Sequence, residues 1–479
     1  MSLRSRTEMR RQVIRRVFLI PFRFSLSCFL LIFCGEASWA FHQNWEAVEK
    51  EAGEILSRYI QIDTTNPPGN EVAAATFWKE ILAKEGVESQ VFESQPGRGS
   101  IYARLKSSGE QKALILLHHL DVVPAVKTDW EVDPFAGVIK DGYVHGRGAI
   151  DCKGVAVVQF LTLALLKRVG MPLKRDVIFL GTADEETGGR NGASWFVDNH
   201  FKLIADAEFL LTEGGGIRIR EEQRSYQVDI AEKAPCWIEI EAHGSAGHGS
   251  MPFPETAVTR LIRALDKIRR YETEIKVVPA VQAYFAELAQ GEETEKAERY
   301  RNLELALADP KFREEFTANP AHNALVRNTI SITSLEGSNK TNVIPSRARA
   351  RLDCRLLPGE NPQQFVAMLE KLIADPEVHF SILLNFSPIA SDSETELFRA
   401  IRSVAERRES RVPVIPAVLG GFTDAHYFRR EGIVSYGFTG LAIGEDDARR
   451  VHGTNERILL SVLREGVQVL FEVVQELNR

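Results

Sequence analysis

The sequence predicts an α/β protein: a mostly parallel sheet covered by helices, interrupted by a smaller α+β unit. Three observations carry this. Between about residues 45 and 233, helical and strand-like segments alternate, and the strands are near-continuous apolar runs. Near residue 234 the strands become half polar. After about residue 391 helix and strand alternate again, so the middle unit reads as an insertion into the first. At 479 residues the chain exceeds one compact core and suggests about two or three units. Apolar residues are 44% and charged residues 26%, enough to bury a core and without a disorder signature.

The first forty residues stand apart. "MSLRSRTEMRRQVIRR" carries six arginines, "FSLSCFLLIFC" is apolar, and "EASWAF" offers Ser38 and Ala40 around a cleavage point. Positive, apolar, then small is the order of a secretory signal, predicted here over residues 1–40 with export to the periplasm or medium. The alternative is an uncleaved membrane signal-anchor, but Arg23 shortens the apolar run below the roughly 20 residues of a span. Losing the segment removes seven Lys/Arg and two Asp/Glu and moves the formal charge from −7 to −12. An acidic surface of that kind argues against nucleic acid and anionic membrane as partners. The cysteines beyond it, Cys152, Cys236 and Cys354, are an odd, widely spaced set with neither a disulfide framework nor a CxxC pair.

Within residues 41–233, "NWEAVEKEAGEILSRYIQI" has helical periodicity, "KALILLHHLDVV" reads as a buried strand and "GVAVVQFLTLALLKRVG" as an apolar helix. "RDVIFLGTADEE" and "AEFLLTEGG" read as two further buried strands. Residues 234–390 hold the alternating runs "CWIEIEAHGSAGHGSMP", "ALVRNTISITSLEG", "SRARARLDCRL" and "EVHFSILLNF", with helices between them. Inside this unit "GEETEKAERYRNLELALADPKFREEF" reads as a solvated, charged decoration. Residues 391–479 return to the first unit and end in the helical "TNERILLSVLREGVQVLFEVVQEL".

Three predicted strand ends terminate in metal-ligating types: His119 and Asp121, then Glu185 and Glu186, then Glu213. Asp151 lies in the Gly-flanked turn "HGRGAIDCKG", and "VHGTNERI" adds His452 before the last helix. In open parallel sheets, ligands bind at the carboxyl ends of strands. Acidic groups and two histidines converging on one crevice repel each other without a cation, and nitrogen with carboxylate oxygen suits zinc, with cobalt or manganese as substitutes. The count suggests two ions bridged by Asp151, with His119 and Glu213 on one and Glu186 and His452 on the other. Asp121 then holds the imidazole of His119. Glu185 is left as a general base for hydrolysis.

The ordered motifs "HHLDVVP", "GRGAIDCKG", "TADEETGG", "LLTEGG", "GHGSMP", "TNVIPS", "LDCRLLPG", "GGFTDAH" and "VHGTNERI" resemble the co-catalytic zinc metallopeptidases. That family includes aminoacylase-1, carboxypeptidase S, glutamate carboxypeptidase and acetylornithine deacetylase/succinyl-diaminopimelate desuccinylase. Glu213 and the polar insertion are most similar to the carboxypeptidase S and large aminoacylase branch. The resemblance implies the same metal and base roles, an inserted lid domain, and a homodimer through that lid. It also implies that His248 polarises the scissile carbonyl, often from a neighbouring subunit, and that Asn342 and Arg355 hold the carbonyl and the substrate carboxylate. His118 has no family counterpart and is expected to be structural. Two positions depart from the pattern: Cys152 beside Asp151, and His426 where relatives often carry arginine.

The expected activity is hydrolysis of an amide next to a free carboxylate, on short peptides or N-acyl amino acids. A deacylase of a biosynthetic intermediate is the enzymatic alternative, which an export signal fits poorly. A non-catalytic, metal-stabilised binding protein is the alternative of another class, and an intact Glu185 argues against it.

Overall fold

A computed structural model describes residues 44–220 and 223–479, so the expected signal at residues 1–40 lies outside the described residues. The large sheet has ten strands. At its centre Arg175–Thr182, Gln111–His119, Ala207–Thr212 and Val434–Gly437 run parallel in that spatial order. The first two are apolar almost throughout and buried, as expected where helices cover both faces.

The sheet is more mixed than the sequence reading of mostly parallel strands. The short hairpin Ser89–Gln95/Arg98–Leu105 adds two antiparallel strands at one edge, and the hairpin Gly216–Arg220/Gln223–Glu232 does so towards the other. A two-residue connection reverses the chain, whereas parallel neighbours need a crossover of a dozen residues or more.

One such crossover is the helix Lys153–Val169, whose residues from Lys153 to Leu166 are all buried. It ends where Gly170 takes a left-handed φ of 63° and its N–H bonds back to Leu166 and Lys167. The C-terminal helix Leu460–Leu477 packs beside it through Leu463, Val467, Leu470 and Val474, a 3.6-residue stripe. Asn44 caps the helix Trp45–Ile60, its side chain accepting from Ala47 N at 3.1 Å.

The second sheet is four-stranded and antiparallel, in the order Thr329–Glu336, Arg347–Leu356, Ala234–His243, Val378–Asn385. Its buried face, carrying Ile238, Ile240, Ala350 and Leu352, packs on the helices Ala257–Arg270 and Pro362–Ile373. The opposite face is charged, with Arg351 Nε 3.3 Å from Glu239 and Arg349 paired to Glu241. Period-two alternation in the sequence follows from this one-sided burial.

The charged stretch of residues 291–316 is not a solvated decoration, and it packs together with the helix before it. The helices Pro279–Leu288, Thr294–Arg301 and Pro310–Ala318 bury Phe285, Tyr300, Phe312 and Phe316 in the core that also serves the large sheet, and the first packs on the strand Val414–Leu419. Charge dominated its sequence, while the apolar residues that decide packing are few and widely spaced. So this excursion, although within residues 234–390, shares its core with the large sheet.

Candidate active site

The central parallel strands end on one side of the sheet, and the residues closing them carry the donors. His119 ends Gln111–His119, the 3-10 turn Glu185–Thr187 follows Arg175–Thr182, and Glu213 follows Ala207–Thr212. Asp151 precedes the buried crossover helix, and His452 lies in the turn before Arg457–Leu459. Asp151 stands between the two imidazoles. Its Oδ1 is 2.9 Å from His119 Nε2 and its Oδ2 3.1 Å from His452 Nε2. Glu213 Oε2 lies 3.3 Å from His119 Nε2, and Glu186 Oε2 lies 3.2 Å from His452 Nε2. The arrangement is two histidine–glutamate pairs sharing one aspartate.

Asp121 organises this cluster from behind. Its backbone carbonyl is 3.0 Å from His119 Nδ1, and its carboxylate accepts from Glu185 N and Glu186 N, both at 3.1 Å, and from Asn66 Nδ2 at 2.8 Å. Asp121 therefore fixes an imidazole through its carbonyl and the acidic turn through its carboxylate. Burial opposes its charge, but these hydrogen bonds and His119 hold Asp121 below the usual carboxylate range.

Burial, reinforced by the charge of Glu213, pushes Glu185 well above the usual range, and burial pushes Glu213 up to about 7. Hydrogen bonds that His452 donates to Asp151 and Glu186 raise it to about 10. Glu186 Oε1 is buried without a hydrogen-bond partner. Orphaned acceptors, crowded carboxylates and imidazoles charged only by their neighbours are a donor set that fits divalent cations. His119, Asp151 and Glu213 would hold one ion and His452, Asp151 and Glu186 the other.

A cavity of about 620 Å³ opens over these groups. One flank carries Trp237, Arg355 and Phe422; the indole N–H of Trp237 donates to Asp353 at 3.1 Å, and the Arg355 guanidinium lies 5.6 Å from the Phe422 ring centre. Arg355 also pairs with Asp353 at 2.7 Å, while its Nη1 stays without a partner. The other flank carries Gly214, Gly215, Gly216, Arg218, Leu419, Leu441 and Ile443.

Not every expected residue is here. His248 and Asn342 are exposed on the two-stranded ribbon Gly247–His248/Val343–Ile344 and do not line the cavity, although Gly249 N bonds Asn342 O at 2.8 Å. His118 sits in the core, bonded to Gln159 Oε1 at 2.9 Å and held down to about 3 by burial. His426 stacks on Phe386 with ring centres 3.6 Å apart, away from the cavity lining, and burial lowers it to about 4, so it is a neutral packing residue. Cys152 is buried with its thiol in one donor group with His119 and Glu213, and burial raises it to about 12.

Sequence reasoning missed Glu456. Its Oε1 accepts from Ile150 N at 2.8 Å and Asp151 N at 3.1 Å, and its Oε2 from Gly148 N at 2.9 Å and Arg147 at 2.8 Å. This residue clamps the turn carrying Asp151. Its only sequence signal was an acid between polar residues four positions after His452.

Fold and site together define a metal-dependent hydrolase of the strand-end type. The model of peptidase family M20/M25/M40 matches residues 115–476, and the chain belongs to this family. A curated relative, the N-fatty-acyl-amino acid synthase/hydrolase PM20D1 of Xenopus tropicalis, is 30% identical over 451 residues, covering 90% of this chain and 86% of its own. Aminoacylase-1A of Rattus norvegicus is 26% identical, covering 88% of this chain and 94% of its own. Among solved structures, an M20 family metallo-carboxypeptidase from Sulfolobus solfataricus superposes with a TM-score of 0.70 at 20% identity, covering 89% of this chain and 99% of its own.

Proposed function

We propose that this chain hydrolyses the amide bond of N-acyl amino acids and short peptides next to a free carboxylate, using two zinc ions held as described above. The observation that carries the reading is Glu185: it is buried beside the donors, keeps a raised proton affinity and belongs to neither histidine–glutamate pair. Such a group suits proton transfer. Glu185 takes a proton from the attacking water and later delivers it to the leaving nitrogen. When bound, the ions supply Lewis acidity that acidifies water and polarises the amide carbonyl. The free Nη1 of Arg355 receives the substrate carboxylate, in the planar geometry that suits a guanidinium. The apolar residues Leu419, Leu441 and Ile443 on the other flank take the acyl portion.

Residues 41–233 and 391–479 form the catalytic unit in this reading, and residues 234–390 the inserted lid. A second copy docks on the lid. Met251, Phe253, Ile262, Leu335 and Val343 expose apolar side chains there, and Thr329–Glu336 is an edge strand. Docking of this kind brings His248 and Asn342 to the partner's cavity, where His248 donates to the developing oxyanion. Residues 1–40 direct export to the periplasm or medium, and no helix among the described residues is long and apolar enough to cross a membrane.

The test is Glu185→Gln. Elemental analysis should find both metals retained and calorimetry an unchanged substrate affinity, while turnover of an N-acyl amino acid falls roughly 10³-fold or more. Near-normal turnover would remove Glu185 as the base.

A further inference from the structure

The cavity holds two arginines, and among the described residues only one of them has a carboxylate partner. Arg355 is paired to Asp353. Arg218 lines the same cavity from the large sheet, where Arg355 stands on the four-stranded one; it is half-buried, and no carboxylate of the described residues lies within 4.0 Å of it. Its one hydrogen bond is from Nη2 to Gly214 O, at 3.0 Å.

Local structure fixes where this cation stands. Gly216 and Arg218 are two apart on the strand Gly216–Arg220 and so share a face, while Ile217 between them points into the core. Ile443 is the register partner of Arg218 on the neighbouring parallel strand, and both line the cavity. The chain reaches this position through Gly214–Gly216. Gly215 is packed so closely that a Cβ would come within 2.3 Å of Gly437 O and 2.4 Å of Gln227 O, so the turn after the ligand Glu213 has one tight path. Asp229, buried under the same turn, accepts from Gln227 at 2.8 Å and keeps Oδ2 unpartnered; the charge of Arg218 reaches it through space, without an ion pair within 4.0 Å.

A guanidinium set among Leu419, Leu441 and Ile443 is partly desolvated, and one carbonyl with the more distant charge of Asp229 leaves most of its donors free for a ligand. A wall meant only for an alkyl chain has no use for it. We propose that Arg218 is a specificity-determining residue that binds an anionic group on the acyl portion of the substrate, so that the preferred substrates are N-acyl amino acids whose acyl chain bears a second carboxylate. This rests on the amidohydrolase reading above. The substrate then spans the cavity from Arg355 to Arg218, with the scissile amide over the metal donors and apolar carbons between.

The experiment compares N-alkanoyl phenylalanines with their ω-carboxyalkanoyl counterparts, from glutaryl to sebacoyl, on the zinc-loaded full chain. At one chain length the dicarboxylic substrate should win in kcat/KM by roughly tenfold or more, the scale of one charge-assisted hydrogen-bond pair. Arg218→Met should bring that ratio to near one, Arg218→Lys should keep part of it, and Arg218→Glu should transfer the preference to an ω-aminoalkanoyl substrate. Metal content of each variant checks that loss of the bond to Gly214 has not disturbed Glu213. A wild-type preference for plain alkanoyl chains at every length, or a ratio that Arg218→Met leaves unchanged, would overturn the assignment. If neither series is cleaved, the amidohydrolase reading fails. Calorimetric binding of the same compounds then decides Arg218 separately: a carboxylate-dependent affinity lost in Arg218→Met supports it, and equal affinity for both series overturns it.

Discussion

The strand-end cluster and the lid ribbon are built on opposite plans. Around Asp151 the donors other than the exposed His452 are buried or half-buried and held by neighbours: Asp121 fixes His119 and the acidic turn, and Glu456 fixes the turn of Asp151. His248 and Asn342 stand exposed on a ribbon of two short strands, and the side chain of His248 bonds only to nearby Ser250, at 2.7 Å. The first region is complete within one chain. The second carries side chains of the same polar types with nothing of its own chain to act upon. Placement that a folded sheet enforces differs from placement that waits for closure or for a second copy.

Removing the shared carboxylate strikes the first region hardest. Asp151→Ala should lose both metals and all measurable turnover, because each ion loses a ligand and the two imidazoles lose their common anion. Elemental analysis showing two ions still bound would break the claim that the cluster hangs on Asp151.

His248→Ala probes the second region. Turnover should fall roughly 100–1000-fold, as removal of an oxyanion donor does, with metal content and fold intact. If His248 acts across the proposed dimer, mixing inactive Glu185→Gln chains with His248→Ala chains should restore part of the activity, since a hybrid has one site with both groups. No recovery despite demonstrated subunit exchange would place the action of His248 within its own chain.

The smallest effect sharpens the first region. Glu456→Gln exchanges an acceptor oxygen for an amide N–H and cannot satisfy all four donors now bound. Metal affinity, read by chelator competition, should weaken about 10- to 100-fold. Unchanged affinity would mean that the helix behind Asp151 suffices to hold it.

What could be read from the chain follows this division. His119, Glu186 and Glu213 were legible because apolar runs mark strands, and a polar residue closing such a run must leave the sheet at its carboxyl end. Sequence could not reveal that Glu456 reaches back to the turn of residues 147–151, since a contact across some three hundred positions leaves no periodic trace. Nor could it separate Arg218 from other surface arginines: its meaning comes from the neighbours that Gly214–Gly216 bring to it. The helices after residue 279 misled for the opposite reason, because abundant charge masked the few aromatic residues that pack.

Glu456 has one more consequence, for the timing of synthesis. It and His452 come some three hundred positions after the turn of Asp151, so that turn is made long before the residues that hold it and pair with it. A growing polypeptide can pair the strands Gln111–His119, Arg175–Thr182 and Ala207–Thr212 long before this, but it holds an open turn at Asp151 and a donor set that lacks His452. The centre is therefore completed only after residue 456 has been made, and a chain interrupted before that point is left without it.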